Sequence, residues 1–311
     1  MQKISYKGRQ LTVRSIALGS LPPVVLRGRL LKIGELFDEI WIPSREVPDL
    51  QEVVRDLRKV PGRPDLFTSA QRFPDTTPRY PFYHEWDNIA VASFDSYADW
   101  YEKKIDRSAR KQVRQTRENE TRTDVIPFSD DLVSSICSIY NEVQVRQGKK
   151  FWHYGKDFDT VRAENATYLD RSLFIGTYLG DELIGFLKMV MDGEVASMMQ
   201  IISKSAHFSK RPNNALLSKA VEVCVREGAR YLTYGKFAYG KKGQSSLSEF
   251  KKSHGFNKFD VPRYYVPLTL WGRIGLKLGL HRDFRERLPA PVSAGLVRLR
   301  ARLYKLRAGR S

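Results

Sequence analysis

Residues 172–203 read SLFIGTYLGDELIGFLKMVMDGEVASMMQIIS. Three runs rich in apolar, β-branched and aromatic residues, 172–179, 182–191 and 195–203, are parted by two very short connections. Gly180-Asp181 makes the first turn and Asp192-Gly193 the second, a strong hairpin signal because both central residues accept positive φ. The spacing predicts an antiparallel three-stranded meander, and the rest of the chain is placed around it.

Upstream, 123–128 (TDVIPF) reads as a short strand. Residues 130–148 read as a helix, with Leu132, Val133, Ile136, Ile139, Tyr140 and Val143 on its apolar face and Gly148 as its stop. The loop KKFWHYGK leads to a second helix over 157–170. Downstream, the basic loop at Lys210 and Arg211 runs into an apolar-periodic helix from about Asn214, with Asn213 or Asn214 as its cap. A strand over 229–237 follows, then a helix with Ser246 and Glu249 as a capping box and Gly255 as its stop, then a strand over 263–269.

Residues 1–95 form a smaller, incomplete α/β unit. Within it 10–17 and 36–43 are strand-like, and 48–60 has helical spacing opened by Pro48 and Asp49. The proline-rich passage 62–86 breaks regular structure. Residues 96–122 are expected to be a connecting helix on which Arg107, Arg110, Lys111, Arg114 and Arg117 recur at three- and four-residue spacing. Such a stripe is either a solvated face or a surface that meets phosphates. A core domain over 123–270 and a basic tail over 271–311 complete the division. The tail holds eleven basic and two acidic residues, with Leu296, Leu299, Leu303 and Leu306 near one helical face. That pattern suits an anionic membrane surface or a polyanion, or else a solvated tail.

With 41% hydrophobic and 12% aromatic residues in 311, the chain folds rather than staying disordered. The formal net charge of +18 points to a polyanionic partner: nucleic acid, an acidic membrane surface or a phosphate-rich cofactor. Cys137 and Cys224 fall in apolar-periodic helices and read as small core side chains, which fits a cytoplasmic setting. No signal peptide opens the sequence, and no run approaches the ~18 apolar residues of a bilayer span. Five histidines lie in no ligand-like spacing, and CxxC, HExxH and GxSxG are missing, so neither a metal site nor a hydrolase nucleophile is expected.

The order strand, helix, helix, three antiparallel strands, helix, strand, helix, strand over 124–269 resembles the GNAT acyltransferase fold, an α+β class with a mixed, mostly antiparallel sheet flanked by helices. DRSARKQVRQTRE, NEVQVRQGKKFWHY, RPNNALLSKAVEVCVREGARYLTYGKF and LSEFKKSHGF look like the branch holding the Fem aminoacyltransferases and acetyltransferase-type domains of polysaccharide biosynthesis. The resemblance implies transfer of an acyl group from acyl-CoA, acetyl-CoA first, to an amino group on an amino sugar or another cell-envelope precursor. It places donor phosphates at Lys210, Arg211, Asn213 and Asn214, and the acyl arm at Lys236 and Phe237. The acceptor falls at Arg146, Gln147, His153 and Tyr154, with His207, Tyr239 and Glu142 as acid–base candidates. The stretch SKRPNNALL, however, lacks the glycines of the usual pyrophosphate loop, as Fem enzymes do. Two further readings therefore stand beside the first: a Fem-like aminoacyl-tRNA-dependent enzyme, and a non-catalytic protein binding polyanions or the inner face of the membrane.

Overall fold

A computed structural model of the chain describes residues 2–6, 9–19, 21–36, 49–146, 148–238 and 246–282. The first half opens with four strands, β1 (Gln2–Tyr6), β2 (Arg9–Leu18), β3 (Leu21–Arg27) and β4 (Ile33–Leu36), each antiparallel to the one before. Helix α1 (Leu50–Lys59) then crosses to β5 (Leu66–Ala70), parallel to β4. Strand β6 (His84–Ser93) follows. Leu50, Val53, Val54 and Leu57, one helical stripe, bury against Val24, Phe67 and Tyr264, and the Asp49 carboxylate accepts the N–H groups of Gln51 and Glu52.

The second half repeats that plan with more helices. Its elements are β7 (Thr121–Ile126), α4 (Asp130–Asn141), the hairpin β8 (Val145–Arg146) and β9 (Lys149–Lys150), and α5 (Phe158–Asn165). The meander β10 (Ser172–Leu179), β11 (Glu182–Asp192) and β12 (Val195–Ser203) follows the predicted bounds, with Gly180 and Gly193 at positive φ in its turns. A 3-10 turn, Ser205–Lys210, leads to α6 (Pro212–Arg226), which crosses to β13 (Tyr231–Thr233), parallel to β12. Helix α7 (Ser246–Ser253), strand β14 (Phe256–Pro267) and helix α8 (Leu270–Lys277) close the described chain.

Twelve strands form one sheet in the order β1-β2-β3-β4-β5-β14-β6-β13-β12-β11-β10-β7. The middle of that order shows an exchange. Strand β14, from the second half, pairs with β5 of the first, while β6, from the first half, pairs with β13 of the second. Each half therefore completes the other's hydrogen-bond ladder. On one face of the second half, α6 and Trp100, Ala109 and Val113 bury Leu187, Met189, Ala196 and Met198. On the other face, α4 and Val161 of α5 cover Phe174 and Phe186. Both cysteines are free thiols; Cys224 is in the core, where burial pushes its thiol up to about 12.

Several sequence expectations change. The proline-rich passage contains β5 and the start of β6. The connecting helix is broken: α2 (Tyr97–Asp99) passes into a π-helical turn, Trp100–Lys104, the chain is extended at Ile105, and α3 (Arg107–Glu118) restarts on an Asp106 cap. Ile105 and Trp100 are both buried, so the break lets two apolar anchors enter the core from one short segment. Helix α4 ends at Asn141, not Gly148; Gly148 instead sits at positive φ in the β8–β9 turn. Helix α5 stops at Asn165, and β13 keeps three residues of the expected nine. Residues 37–43 of the expected second strand and residues 283–311 of the tail lie outside the described residues.

Candidate active site

Strands β12 and β13 pair over three residues, Val195–Ser197 against Tyr231–Thr233, and then part. Two features drive them apart. On β12 the register against β11 shifts between Lys188 and Met189, so Met199 is an extra residue, and such a bulge bends a strand away from its neighbour. On the other arm, the chain beyond Thr233 follows β6: Tyr234 N–H donates to Ala90 O (2.9 Å), and Ala90 N–H donates to Gly235 O (2.8 Å). The Asn88 side chain then clamps Ala238, donating to its carbonyl (3.3 Å) and accepting its N–H (2.8 Å). Past Ser197 the β12 edge that faced β13 has no strand partner among the described residues. Its N–H groups are candidate donors to an oxyanion.

The β13 arm is further held by charge. Lys236 pairs with Asp87 (2.8 Å), which Arg263 also contacts (3.1 Å). Burial works to raise the Asp87 carboxyl, but the Lys236 hydrogen bond and the Arg263 charge outweigh it and hold it below the usual aspartate range. Lys251 rises from α7 beneath the same arm and donates to Tyr234 O (2.6 Å) and Lys236 O (2.8 Å), with its ammonium 4.3 Å from the Tyr234 ring centre. Burial lowers its pKa to about 8. Phe237 packs on the core from this arm.

A buried polar cluster closes the other side of the opening. Gln200, next to the bulge, accepts the Tyr140 hydroxyl (2.9 Å), and burial keeps that phenol well above the ordinary tyrosine range. The His153 ring lies against Tyr140 with centroids 4.1 Å apart, and its Nε2 is 3.5 Å from the Gln200 amide. Its Nδ1 meets Lys156 Nζ (3.0 Å), which is bound by both Glu164 oxygens (2.7 and 2.5 Å). Tyr154, from the same loop, is exposed.

A third cluster forms at the end of β12. Glu142 accepts the N–H groups of Ser205 (2.6 Å) and Ala206 (2.8 Å) and pairs with Arg146 (3.2 Å). Arg146 also donates to Ser203 O and Ile139 O, and stacks over Phe151. His207 lies on the anchored 3-10 turn, and its Nε2 meets Glu182 (3.2 Å) at the start of β11, on the side of β12 away from β13. The structure thus groups Glu142, Arg146 and His207, and separately places His153 by Gln200 and Lys236 by Phe237. Gln147 and Tyr239 lie outside the described residues.

The entry to α6 corrects another expectation. Its N-cap is Arg211, at φ 59°, with no side-chain cap bond, and Pro212 follows as the first helical residue. Asn214 is buried and donates to Gln112 Oε1 (3.0 Å), with His254 Nε2 at 2.9 Å, so it ties α6 to α3 and α7. Pro212 has no N–H, and those of Arg211, Asn214 and Ala215 bond to the carbonyls of Phe208 and Arg211. Beside this entry, Asn119 at the end of α3 donates to Lys210 O (3.1 Å). Arg107, Lys111 and Arg114 of α3 are exposed, and no carboxylate pairs with them among the described residues. Arg110 turns back to Glu102 O.

Sequence reading missed three residues. Lys251 is the one with a usable signal: Leu247, Phe250, Lys251 and His254 have the i, i+3, i+4, i+7 spacing of a buried helix face, so a lysine there is anomalous. Gln200 interrupts the apolar run MMQII in a strand. Tyr140 reads as plain core. A separate cleft of 410 Å³, lined in part by Phe73, Asp95, Lys104 and Arg230, opens at the opposite end of β13 and contains none of these groups.

Among solved structures, the chain is similar to FemX, with 10% identity and a TM-score of 0.59, covering 86% of this chain and 90% of that one. It is also similar to L-PGS from Bacillus licheniformis, with 12% identity, a TM-score of 0.54 and 94% and 88% of the two chains covered. A third match is the C-terminal domain of a putative lysylphosphatidylglycerol synthetase from Agrobacterium fabrum, with 12% identity, a TM-score of 0.54 and coverage of 85% and 87%. No protein-family model and no curated protein matches the sequence. The chain has the GNAT-type α+β fold. FemX and the synthetase domain share that fold with it.

Proposed function

We propose that this protein transfers an aminoacyl group from aminoacyl-tRNA to an amine, at the opening between β12 and β13. The observation that carries the donor is the α6 entry. A pyrophosphate cradle needs successive backbone N–H groups pointing outward, whereas Pro212 supplies none here and three neighbours are already bonded. Cationic side chains take the cradle's place: Lys210 and Arg211 at the entry, and Arg107, Lys111 and Arg114 on adjacent α3. Side-chain cations spread along a helix suit an extended phosphate backbone. The likeness to a lysylphosphatidylglycerol synthetase, by its name a maker of an aminoacyl lipid, supports the same class.

The acceptor amine attacks the ester carbonyl carbon. A C–N bond forms, the bond from that carbon to the ribose oxygen breaks, the amine's surplus proton leaves to water, and the ribose oxygen gains a proton. Backbone N–H groups of β12 past Ser197 stabilise the oxyanion, and Tyr239 is the proposed acid for the leaving oxygen. His153 and Gln200 face the acceptor, which from the family resemblance is a cell-envelope or glycan-type amine. Glu142 and Arg146 are positioning residues that hold the turn carrying His207.

An acyl-CoA donor is the second reading, favoured by Phe237 on the β13 arm, an apolar wall for a pantetheine chain. Binding of acetyl-CoA and of an aminoacyl-tRNA mixture, each at two salt concentrations, separates them. The proposal expects salt-sensitive tRNA binding, stronger for charged than for uncharged tRNA. Saturable acetyl-CoA binding with no tRNA binding overturns it in favour of the second reading.

A further inference from the structure

Helix α8 has two unlike faces. Gly272 and Gly275 are buried against the first half: a Cβ on Gly272 would strike Asp65 O, and one on Gly275 would meet Leu31. The Thr269 side chain caps the helix and also donates to Asp65 (2.9 Å), while His281 and Arg282, beyond its end, bond Glu85. The start of the basic tail is therefore docked structure. Its outer face is apolar: Leu270 is 72%, Trp271 42%, Ile274 40% and Leu278 64% exposed. At ~100° per residue these four fall within a ~100° arc. The Trp271 indole N–H donates to Leu30 O (2.7 Å), which brings in Leu30, itself 86% exposed.

Five large exposed apolar side chains thus form one patch, larger than the scattered single residues of an ordinary surface. Its border is cationic. Arg29, Lys32, Arg273, Lys277 and Arg282 are all exposed, and the nearby Glu85 is engaged by His281 and Arg282. The chain then continues through 283–311 with eight more basic residues and two acidic ones. Apolar side chains ringed by lysine and arginine match the boundary between acyl chains and anionic headgroups. No described helix is long and apolar enough to cross a membrane.

We propose that the patch formed by Leu30 and the outer face of α8 seats the protein on an anionic lipid bilayer, with Leu30, Leu270, Trp271, Ile274 and Leu278 entering the interface and the surrounding cations on the headgroups. This does not depend on the donor assignment. The full chain is tested by co-sedimentation with vesicles of phosphatidylcholine alone and of equal parts phosphatidylcholine and phosphatidylglycerol. The expected result is at least about tenfold stronger binding to the mixed vesicles. Leu270→Ser/Leu278→Ser and, independently, Leu30→Ser should each lower that binding, the double variant about tenfold, with far-UV circular dichroism and thermal midpoint unchanged. Equal binding to both vesicles, or none, overturns the proposal. Patch variants that bind as wild type while deletion of 283–311 abolishes binding also overturn it, by assigning contact to the basic segment alone. A patch variant that dissociates a dimer without altering vesicle binding overturns it by assigning the face to a second copy.

Discussion

Helices α1 and α6 hold the same place in the two halves of the sheet, each crossing from the last meander strand to a strand parallel with it, and they begin in opposite ways. At α1, Asp49 caps two N–H groups and Glu52 adds a second carboxylate, so the positive end of the helix is answered from within. At α6 there is no side-chain cap and no acidic first turn; Lys210 and Arg211 stand there instead. Cations at a helix N-terminus are unfavourable unless an anion arrives. On the proposed function, that contrast makes the α1 end scaffold and the α6 end the place where donor phosphates arrive.

The largest effect should come from separating the halves. Residues 96–311 alone lack β6, which lies between β14 and β13 and holds the β13 arm through Asp87, Asn88 and Ala90. That fragment should show no cooperative melting by circular dichroism; a sharp transition near that of the full chain would show that the exchanged strands are dispensable. Next, Lys111→Glu/Arg114→Glu should weaken tRNA binding at least tenfold and lower its salt slope by about 2, with thermal stability nearly unchanged because both side chains are exposed. An unaltered salt slope would return the α3 stripe to plain solvent.

Smaller effects separate the two helix starts. Asp49→Ala should cost about 1 kcal/mol of stability and leave donor binding alone. Arg211→Gly should do the reverse, gaining about 1 kcal/mol by relieving a left-handed residue while weakening the donor complex. Both are read by denaturant unfolding beside a binding titration; matching signs in the two variants would dissolve the contrast.

A pH dependence follows from Lys251. Its folded pKa of about 8 lies below the ~10.4 of an unfolded lysine. Below pH 8 both states hold the proton, and the folded state bears the whole cost of the buried charge. Between about 8 and 10.4 only the unfolded chain holds it, so stability rises with pH in that window. The wild type should gain on Lys251→Met there, measured by urea unfolding at pH 7 and pH 10; a flat difference would contradict the burial of its charge.

The most legible parts of the fold carry local signals. The meander follows the alternation and turn chemistry of 172–203, and α1 is bounded by Asp49 and its apolar spacing. The breaks in helices were less legible: Ile105 is buried by tertiary contacts, and local helical spacing runs straight through it. The strand exchange was invisible, since β14 and β6 carry no mark of which neighbour they will choose. The parting of β12 and β13 has no local mark in the sequence, because it depends on the bulge at Met199 and on the pairing of residues 234–235 with β6. Gln200 is one polar residue in an apolar strand, with nothing local to show that it meets Tyr140 and His153, and the helical spacing that makes Lys251 anomalous does not say which carbonyls its ammonium reaches. His207 follows β12 closely in the sequence, but the direction of its ring, toward Glu182 and away from β13, depends on the fold.

The most direct measurement is amide hydrogen exchange on the full chain with and without saturating aminoacyl-tRNA. The account predicts protection in α3, in 198–214 and in 234–238, with the start of α1 unchanged. Protection at residues 49–60, or none across the opening between β12 and β13, would contradict it.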